Sequence, residues 1–179
     1  MTRESTLPPP PVGMGSVPVA SPPATITPKA IRPGTARDLP ETAELCVLFA
    51  REAASFQFDA DYWTFAWREI LRTGAGEILL AWADGAVIGA IGLLYAPCLF
   101  DGQLYAEEAF WFVSPKHRGQ GMRLLVAAEN AARKRGAKRL VMAHLAGLND
   151  RLAQIYERRG YHPLETKYAL DLWHSQPPR

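Results

Sequence analysis

The chain has 179 residues and a formal net charge of +2, from 20 Lys and Arg against 18 Asp and Glu. This length is enough for one well-buried core and too short for two ordinary domains, and so mild a charge gives no reason to expect nucleic acid as a partner. The two cysteines, Cys46 and Cys98, have apolar neighbours and no CxxC or Cys/His spacing. Buried thiols of a cytoplasmic protein are therefore favoured over a disulfide, and no metal site is predicted.

The N-terminal region, residues 1–29, is rich in Pro, Ser and Thr and has consecutive prolines from Pro8 to Pro11. Prolines and glycines interrupt it where a signal peptide would need an apolar core, and no run elsewhere approaches the ~18 residues of a membrane span. We therefore expect a soluble protein without membrane contact. The region cannot bury enough apolar surface to fold alone, so we predict an extended or disordered arm that docks on the domain itself, a second subunit or a larger assembly.

The next part of the chain predicts a strand and two helices. Residues 30–33 form the strand, and Thr35 or Asp38 can cap the first helix. Asp59 caps the second helix, which ends at Gly74, a residue type that closes helices in the left-handed conformation. The apolar side chains on one face are Leu45, Phe49 and Ala53 in the first helix, and Trp63, Trp67 and Ile70 in the second.

Residues 77–94 predict a β-hairpin. Two runs of strand-forming residues, 77–83 and 86–94, are separated by Asp84-Gly85, a pair that favours a two-residue turn. Residues 97–102 then form the loop that returns the chain to the next strand.

The region 105–136 predicts a strand, a glycine-bearing turn and a helix. Residues 105–113 are mostly aromatic or β-branched, which favours a strand that ends before Pro115. An apolar helical pattern then runs to Gly136. Amides at the start of such a helix point at one place and are backed by the helix dipole, so we predict an anion site. The turn that carries it is Arg118-Gly119-Gln120-Gly121-Met122-Arg123.

Two common phosphate motifs do not explain this turn. The Walker motif requires Lys-Ser/Thr after its last glycine, where this chain has Met122-Arg123, and the dinucleotide motif requires three glycines. The turn instead resembles the pantetheine and pyrophosphate motif of the GNAT acetyltransferase superfamily, Arg/Gln-x-x-Gly-x-Gly/Ala after a strand that ends in Val-x-Pro. Arg118 and Gly121 match the first and fourth positions. Arg123 replaces the usual Gly or Ala at the sixth, in which the chain resembles phage-encoded and bacterial members.

The C-terminal part predicts a short buried strand at 139–144, a helix that Asn149 caps and Gly160 ends, and a last strand at 168–172. Residues 149–161 resemble a second signature of the same superfamily, Asn…Ala…Tyr-Glu-x-x-Gly-Phe/Tyr. This signature stands at the expected distance after the glycine turn, so the two motifs in this order are more specific than either alone.

The resemblance implies an acetyl-CoA-dependent N-acetyltransferase that acts on an amine of a small molecule or a protein. It also implies the α/β (α+β) GNAT fold: a mixed, mostly antiparallel twisted sheet of about six to seven strands with about four helices. The domain would cover residues 30–175, followed by a tail at 176–179. In the superfamily, the segment between the first two helices commonly forms one wall of the acceptor cleft.

Amine acetylation requires a base to remove a proton and an acid for the departing thiolate. The resemblance places the base six residues before the last Val of the strand, which is Glu107, and burial among aromatic residues would raise its pKa. Glu107 and Glu108 are neighbours in a strand, so their side chains point to opposite faces. Tyr156 matches the tyrosine that protonates the thiolate. The alternatives are a structural ion pair for either glutamate and a core position for Tyr156.

The resemblance assigns the coenzyme to one strand end and the turn after it. Backbone groups near Phe112 and Val113, where family strands separate at a bulge, would hold the thioester carbonyl. Arg118 and Arg123 would complement the phosphates. Asn149 matches a coenzyme contact, although helix capping explains it equally well. The complete predicted set is Phe112, Val113, Arg118, Gly119, Gln120, Gly121, Met122, Arg123 and Asn149.

A GNAT-fold docking module with little or no turnover, including a component of a phage particle, is the alternative function. Arg123 in the motif and the long N-terminal arm favour it, and binding of coenzyme A separates the two hypotheses. Nucleic-acid binding through the basic residues of 133–139 has no aromatic stacking platform in the sequence to support it.

Overall fold

The computed structural model describes residues 30–53, 57–144 and 150–170. Within these ranges the strands are β1 (Ala30–Pro33), β2 (Gly76–Ala83), β3 (Ala86–Pro97), β4 (Leu104–Val113) and β5 (Arg139–Val141). The helices are α1 (Leu39–Ala53), α2 (Ala60–Thr73), α3 (Gly121–Lys134) and α4 (Asp150–Arg158), and 3₁₀ turns at Ala36–Asp38 and Pro115–Gln120 precede α1 and α3. The predicted arm and tail lie outside the described residues.

The strands form one sheet in the order β1-β2-β3-β4-β5. Pairings are antiparallel from β1 to β4, and β4 pairs with β5 in parallel. The predicted class, a mixed and mostly antiparallel sheet with helices, is confirmed. The described residues form five strands rather than six or seven. Residues 168–170 of the predicted last strand have no regular structure, and residues 171–172 lie outside the described ranges.

Turn and cap residues place the elements of the first half as predicted. Asp84 and Gly85 have φ angles of 52° and 80°, so the β2–β3 turn takes the left-handed form whose twist matches a hairpin. The Asp59 carboxylate caps α2 by accepting two amides of its first turn, at 3.0 and 2.9 Å. Gly74, with φ of 71°, closes the other end of α2.

The sheet separates two apolar cores. On one side, called the α3 face, Leu124 and Ala128 of α3 pack against Ile91 and Leu93 of β3. On the opposite side, called the aromatic face, α1 and α2 cover the sheet. The buried residues of that face are Leu39, Leu45, Cys46, Trp67, Ile78, Leu80, Ala90, Phe110 and Phe112. Burial of these two sets supplies the main driving force for folding.

The remaining global predictions have mixed outcomes. Cys46 and Cys98 are free thiols. Cys46 is buried as predicted, but Cys98 is only half-buried because it lies in the loop between β3 and β4. No described helix has the length and apolarity to span a membrane. The described residues also contain no group of three or more His, Cys, Asp or Glu able to hold a metal ion.

Candidate active site

The glycine turn, residues 118–123, joins the end of β4 to α3. Its first half lies in the 3₁₀ turn and its second half is the first turn of α3, whose amides have no side-chain cap among the described residues. A Cβ atom on Gly119 would meet no atom within 4 Å, and one on Gly121 would approach the Trp111 ring at 3.4 Å. The Gly121 amide donates to the Arg118 carbonyl. A helix start without a side-chain cap and with little covering bulk is compatible with the anion site that the sequence predicts.

Two arginines bring positive charge to the glycine turn. The Arg118 guanidinium donates a hydrogen bond to Glu52 in the last turn of α1 and lies over the ring of Phe112, 5.7 Å from its centre. Arg123, the departure from the family motif, donates to the side-chain oxygen of Gln120 at 2.9 Å. Both cations are exposed, so each can approach a phosphate group from solvent.

Strands β4 and β5 separate part-way along their length. Their parallel pairing ends at Glu107 opposite Val141, which is why β5 is shorter than predicted. The Ser114 amide donates to β3 at 2.9 Å. Because amides alternate in direction along a strand, the amide of Val113 faces the gap left by β5, and that of Phe112 faces β3. Only one of the two predicted carbonyl-binding amides therefore faces the gap.

Strand β4 contains a bulge at Ala109. Two consecutive residues of β3 lie opposite Glu108 and Phe110, which leaves Ala109 without a partner in the register. The bulge predicted near residues 112–113 is therefore wrong in position. The bulge lies beside Phe110, whose ring packs against the other rings of the aromatic face. The centres of the Phe110 and Trp63 rings are 5.6 Å apart.

The bulge changes which side chains share a face. Ala106 and Val113 are seven residues apart, yet both lie in the core of the α3 face, whereas an unbroken strand would place them on opposite faces. Phe110 lies on the aromatic face. Glu108, two residues after Ala106, consequently shares the α3 face with Val113, and Glu107 lies on the other side.

Glu108 and Tyr156 meet at Ala143, two residues beyond the end of β5. The Ala143 amide donates to the Glu108 carboxylate, and the Tyr156 hydroxyl donates to the Ala143 carbonyl, both at 3.1 Å. Burial raises the pKa of Glu108 to about 7, although the Ala143 amide opposes the shift. Burial, and then the charge of Glu108, raise the pKa of Tyr156. A carboxyl that titrates near neutral pH thus lies near a phenol that keeps its proton.

Glu107 has quite different surroundings. Its side chain is 57% exposed and lies 3.2 Å from the ammonium group of Lys167, which also pairs with Glu165 at 3.1 Å. The burial predicted for Glu107 is therefore wrong, because the bulge and the end of the β5 pairing place its half-buried neighbour Glu108 on the more enclosed side instead. The predicted coenzyme contact Asn149 lies outside the described residues.

Comparison with known proteins identifies the family. A family model described as the acetyltransferase (GNAT) family matches residues 42–161, a range that contains the glycine turn, Glu108 and Tyr156. The chain belongs to the GNAT acetyltransferase family. Members generally take acetyl-CoA as the acyl donor and transfer the acyl group to an amine.

Solved structures share this GNAT fold at low sequence identity. A ribosomal-protein-alanine N-acetyltransferase from Brucella melitensis biovar Abortus 2308 is 21% identical, with a TM-score of 0.62 over 80% of this chain and 99% of that one. An aminoglycoside acetyltransferase from an uncultured soil metagenomic sample is 13% identical, with a TM-score of 0.65 over 82% and 100%. A transcriptional regulator from Bacillus halodurans C-125 is 18% identical, with a TM-score of 0.68 over 80% and 99%. No curated protein sequence matches the chain.

The α3 face of this GNAT domain contains a buried donor beside the glycine turn. Among the described residues, the indole N–H of Trp111 is buried and has no hydrogen-bond partner, and the Trp111 ring lies directly beneath Gly121. An unpaired buried donor costs about 1–3 kcal/mol. The indole N–H of Trp82 is buried and unpaired in the same way, so these donors do not identify a ligand. The residues that fit the coenzyme are those of the glycine turn, where Gly119 is uncovered and both arginines are exposed.

Sequence reasoning chose Glu107 over Glu108 and did not consider Trp111. A signal existed for each: a carboxylate beside a predicted base, and an indole that needs a partner in an otherwise apolar strand. Neither signal could be used without the bulge at Ala109, because that extra residue decides which side chains face the gap.

Proposed function

We propose that this GNAT protein transfers an acetyl group from acetyl-CoA to an amine, with Glu108 as the base and Tyr156 as the acid. One observation carries the proposal: both side chains bond to the same residue, Ala143, at 3.1 Å each, where β4 and β5 have separated. A proton acceptor and a proton donor held on one short segment can serve the two ends of an acyl transfer.

Bound acetyl-CoA would supply a thioester that is already activated for attack by an amine. The amides at the start of α3, with the guanidinium groups of Arg118 and Arg123, would bind its phosphates. The Val113 amide, which faces the gap between β4 and β5, would be a further donor for a carbonyl oxygen. Val113 and α3 lie on the α3 face, the same side as Glu108, whereas the Arg118 guanidinium lies over Phe112 of the aromatic face.

Glu108 would take the proton that the amine has to lose. An amine attacks only in its neutral form, and a base works best when its pKa lies near the working pH. The pKa of Glu108, about 7, meets this condition. Tyr156 keeps its proton because burial raises the pKa of its hydroxyl, and it would release that proton to the departing sulfur.

The family motif predicts Glu107 as the base, and Glu107 is the alternative to Glu108. It is solvated and paired with Lys167, whereas Glu108 shares Ala143 with Tyr156, and this contrast favours Glu108.

Thermal unfolding with and without acetyl-CoA tests the proposal at its first step. Ligand at about 100 times its Kd should stabilise the protein by about 2.7 kcal/mol. Gly121→Glu should abolish this stabilisation because it places a carboxylate against the phosphates. Gly121→Gln, of similar size without the charge, should retain part of it. If millimolar acetyl-CoA leaves the unfolding temperature of the natural protein unchanged, the proposed function is wrong. The docking-module hypothesis would then be favoured.

A further inference from the structure

A groove of about 420 Å³ lies on the exposed side of α3. Met122, Val126 and Asn130 lie along it, because residues four apart share one face of a helix. The opposite face carries Leu124 and Ala128, which are buried against the sheet. We call this site the outer groove. Its complete lining is Ile31, Met122, Arg123, Val126, Ala127, Asn130 and Arg159.

The outer groove combines apolar surface with a rim of hydrogen-bond donors. The side chains of Met122 and Val126 supply the apolar surface and are 37% and 38% exposed. The rim residues Arg123, Asn130 and Arg159 carry guanidinium or amide groups, all of which have N–H donors. The groove therefore suits a ligand that is apolar, rich in acceptors and poor in cations.

The N-terminal region, residues 1–29, has this composition. Eight of its residues are proline, and its charged residues are Arg3, Glu4 and Lys29. Proline has a carbonyl acceptor but no N–H, so the region has more backbone acceptors than donors. Its larger branched apolar side chains are Leu7, Val12, Val17, Val19 and Ile26. The region is thus complementary to the outer groove in both apolar surface and hydrogen bonding.

The N-terminal region also joins the fold beside the outer groove. It precedes the first residue of β1, and the second residue of β1, Ile31, lines the groove. Ile31 pairs with Ala81, which pairs with Gly89. Gly89 in turn pairs with Val113, the last residue of β4. Ile31 is therefore level with the end of β4 from which the chain continues to the glycine turn.

The N-terminal region is long enough to fill the outer groove. The 14 residues of α3 span about 21 Å, and about seven residues in polyproline geometry cover that distance at ~3.1 Å each. A segment held by so short a tether has an effective concentration on the order of millimolar. A separate partner would have to bind without this advantage, so the region itself is the favoured occupant.

We propose that the N-terminal region binds in the outer groove of its own domain and there shields the glycine turn from acetyl-CoA. Met122 and Arg123 belong to both the groove and the turn, so a chain lying over them occupies space that the coenzyme phosphates need. The docking stands on the groove and the tether, whereas the competition with acetyl-CoA rests on the proposed function. The region has to leave the groove before the coenzyme binds.

Limited proteolysis of the full-length protein by subtilisin, followed by mass spectrometry, tests the docking. Cleavage within residues 1–29 proceeds from the undocked form, so its rate reports the population of that form. Val126→Asn should raise the rate about five- to tenfold, because it replaces an apolar contact of the groove by a polar one. Leu48→Asn is the matched control, since Leu48 of α1 is 42% exposed and does not line the groove.

Two results of this comparison would overturn the docking. Equal cleavage rates in the natural protein and both variants would show that Val126 does not contact the region. A rate that falls as the protein concentration rises would show that the region binds a second copy of the chain instead.

The same assay with saturating acetyl-CoA separates the competition from the proposed function. Faster cleavage of the natural protein in the presence of acetyl-CoA would support the competition. Unchanged cleavage, in a protein that acetyl-CoA stabilises against thermal unfolding, would overturn the competition while the proposed function stands. If acetyl-CoA changes neither quantity and Val126→Asn still accelerates cleavage, the docking is supported and the proposed function is wrong.

Discussion

Glu107 and Glu108 are neighbours in the chain and lie in opposite environments. Glu107 is on the aromatic face of the sheet, largely exposed and paired with Lys167 at 3.2 Å. Glu108 is on the α3 face, where it accepts the Ala143 amide and its pKa is raised to about 7. The Glu107 side chain lies in water beside a cation, whereas the Glu108 side chain loses water, which raises its pKa.

The difference shows that the surroundings of a side chain on β4 depend on where the strand loses its pairing partner. The pairing of β4 with β5 stops at Glu107, and the bulge at Ala109 reverses the alternation of side chains after it. Between these two points Glu108 stands at the edge of the gap. An identical side chain one residue earlier is a surface group.

The largest expected effect separates the two glutamates directly. Glu108→Gln should lower the rate of acetyl transfer by about 10²–10⁴-fold, the usual loss for a general base. The affinity for acetyl-CoA should not change, because Gln still accepts the Ala143 amide. Glu107→Gln is the matched control and should reduce the rate by less than about tenfold. Steady-state kinetics and calorimetry measure the two quantities, and the reverse order would place the base on the aromatic face.

A second effect concerns stability and pH. The unfolded chain releases the Glu108 proton near pH 4.5, the ordinary value, and the folded chain near 7. Between these values the folded state binds more protons at Glu108, so the contribution of Glu108 to stability is fully present below about pH 4.5 and is lost as the pH rises through 7. The difference corresponds to about 3 kcal/mol. Chemical denaturation of Glu108→Gln should lack this decline, and a parallel decline in both proteins would show that Glu108 titrates as an exposed group.

A third effect tests how tightly the aromatic face is packed. A Cβ atom on Gly92 would clash with the Phe110 ring and lie 2.7 Å from the Trp67 ring, both buried. Gly92→Ala should therefore cost about 1–3 kcal/mol of unfolding free energy. Gly119→Ala, where a Cβ meets nothing within 4 Å, provides the control and should be close to neutral. If urea denaturation gave equal unfolding free energies for the two variants, the Phe110 and Trp67 rings would be able to move aside.

The smallest effect checks the surface ion pair. Lys167→Met removes the cation beside Glu107, and since Lys167 is 71% exposed, stability should change by less than about 1 kcal/mol. The rate of acetyl transfer should not change beyond about twofold, because Glu107 is not the proposed base. A loss of more than tenfold in the same kinetic assay would bring Glu107 back into the chemistry.

Local signals predicted most of the fold. Asp84-Gly85 specified the hairpin turn, Asp59 and Gly74 specified the ends of α2, and the glycine turn specified the start of α3, because each is a property of a few consecutive residues. The strand predicted at 168–172 is not a strand through residue 170. An edge strand forms only when a partner is placed beside it, and no local pattern reports that.

The candidate site was predictable only in part, for the same reason. The turn at Arg118 and Gly121 is a local motif, and it lies at the start of α3 as predicted. The partial burial of Glu108 and its hydrogen bond depend on an extra residue at Ala109 and on a backbone amide 35 positions later. Counting six residues back from Val113 passes through that bulge, so it selects Glu107.

The hydrogen bond between Glu52 and Arg118 connects a helix of the aromatic face to the turn that opens α3. A pyrophosphate that took up Arg118 would leave the Glu52 carboxylate without its cation. Binding of the coenzyme would therefore change the charge at the end of α1 as well as at the start of α3. By linkage, a change at Glu52 that alters its bond to Arg118 would alter the affinity for the coenzyme by the same coupling free energy.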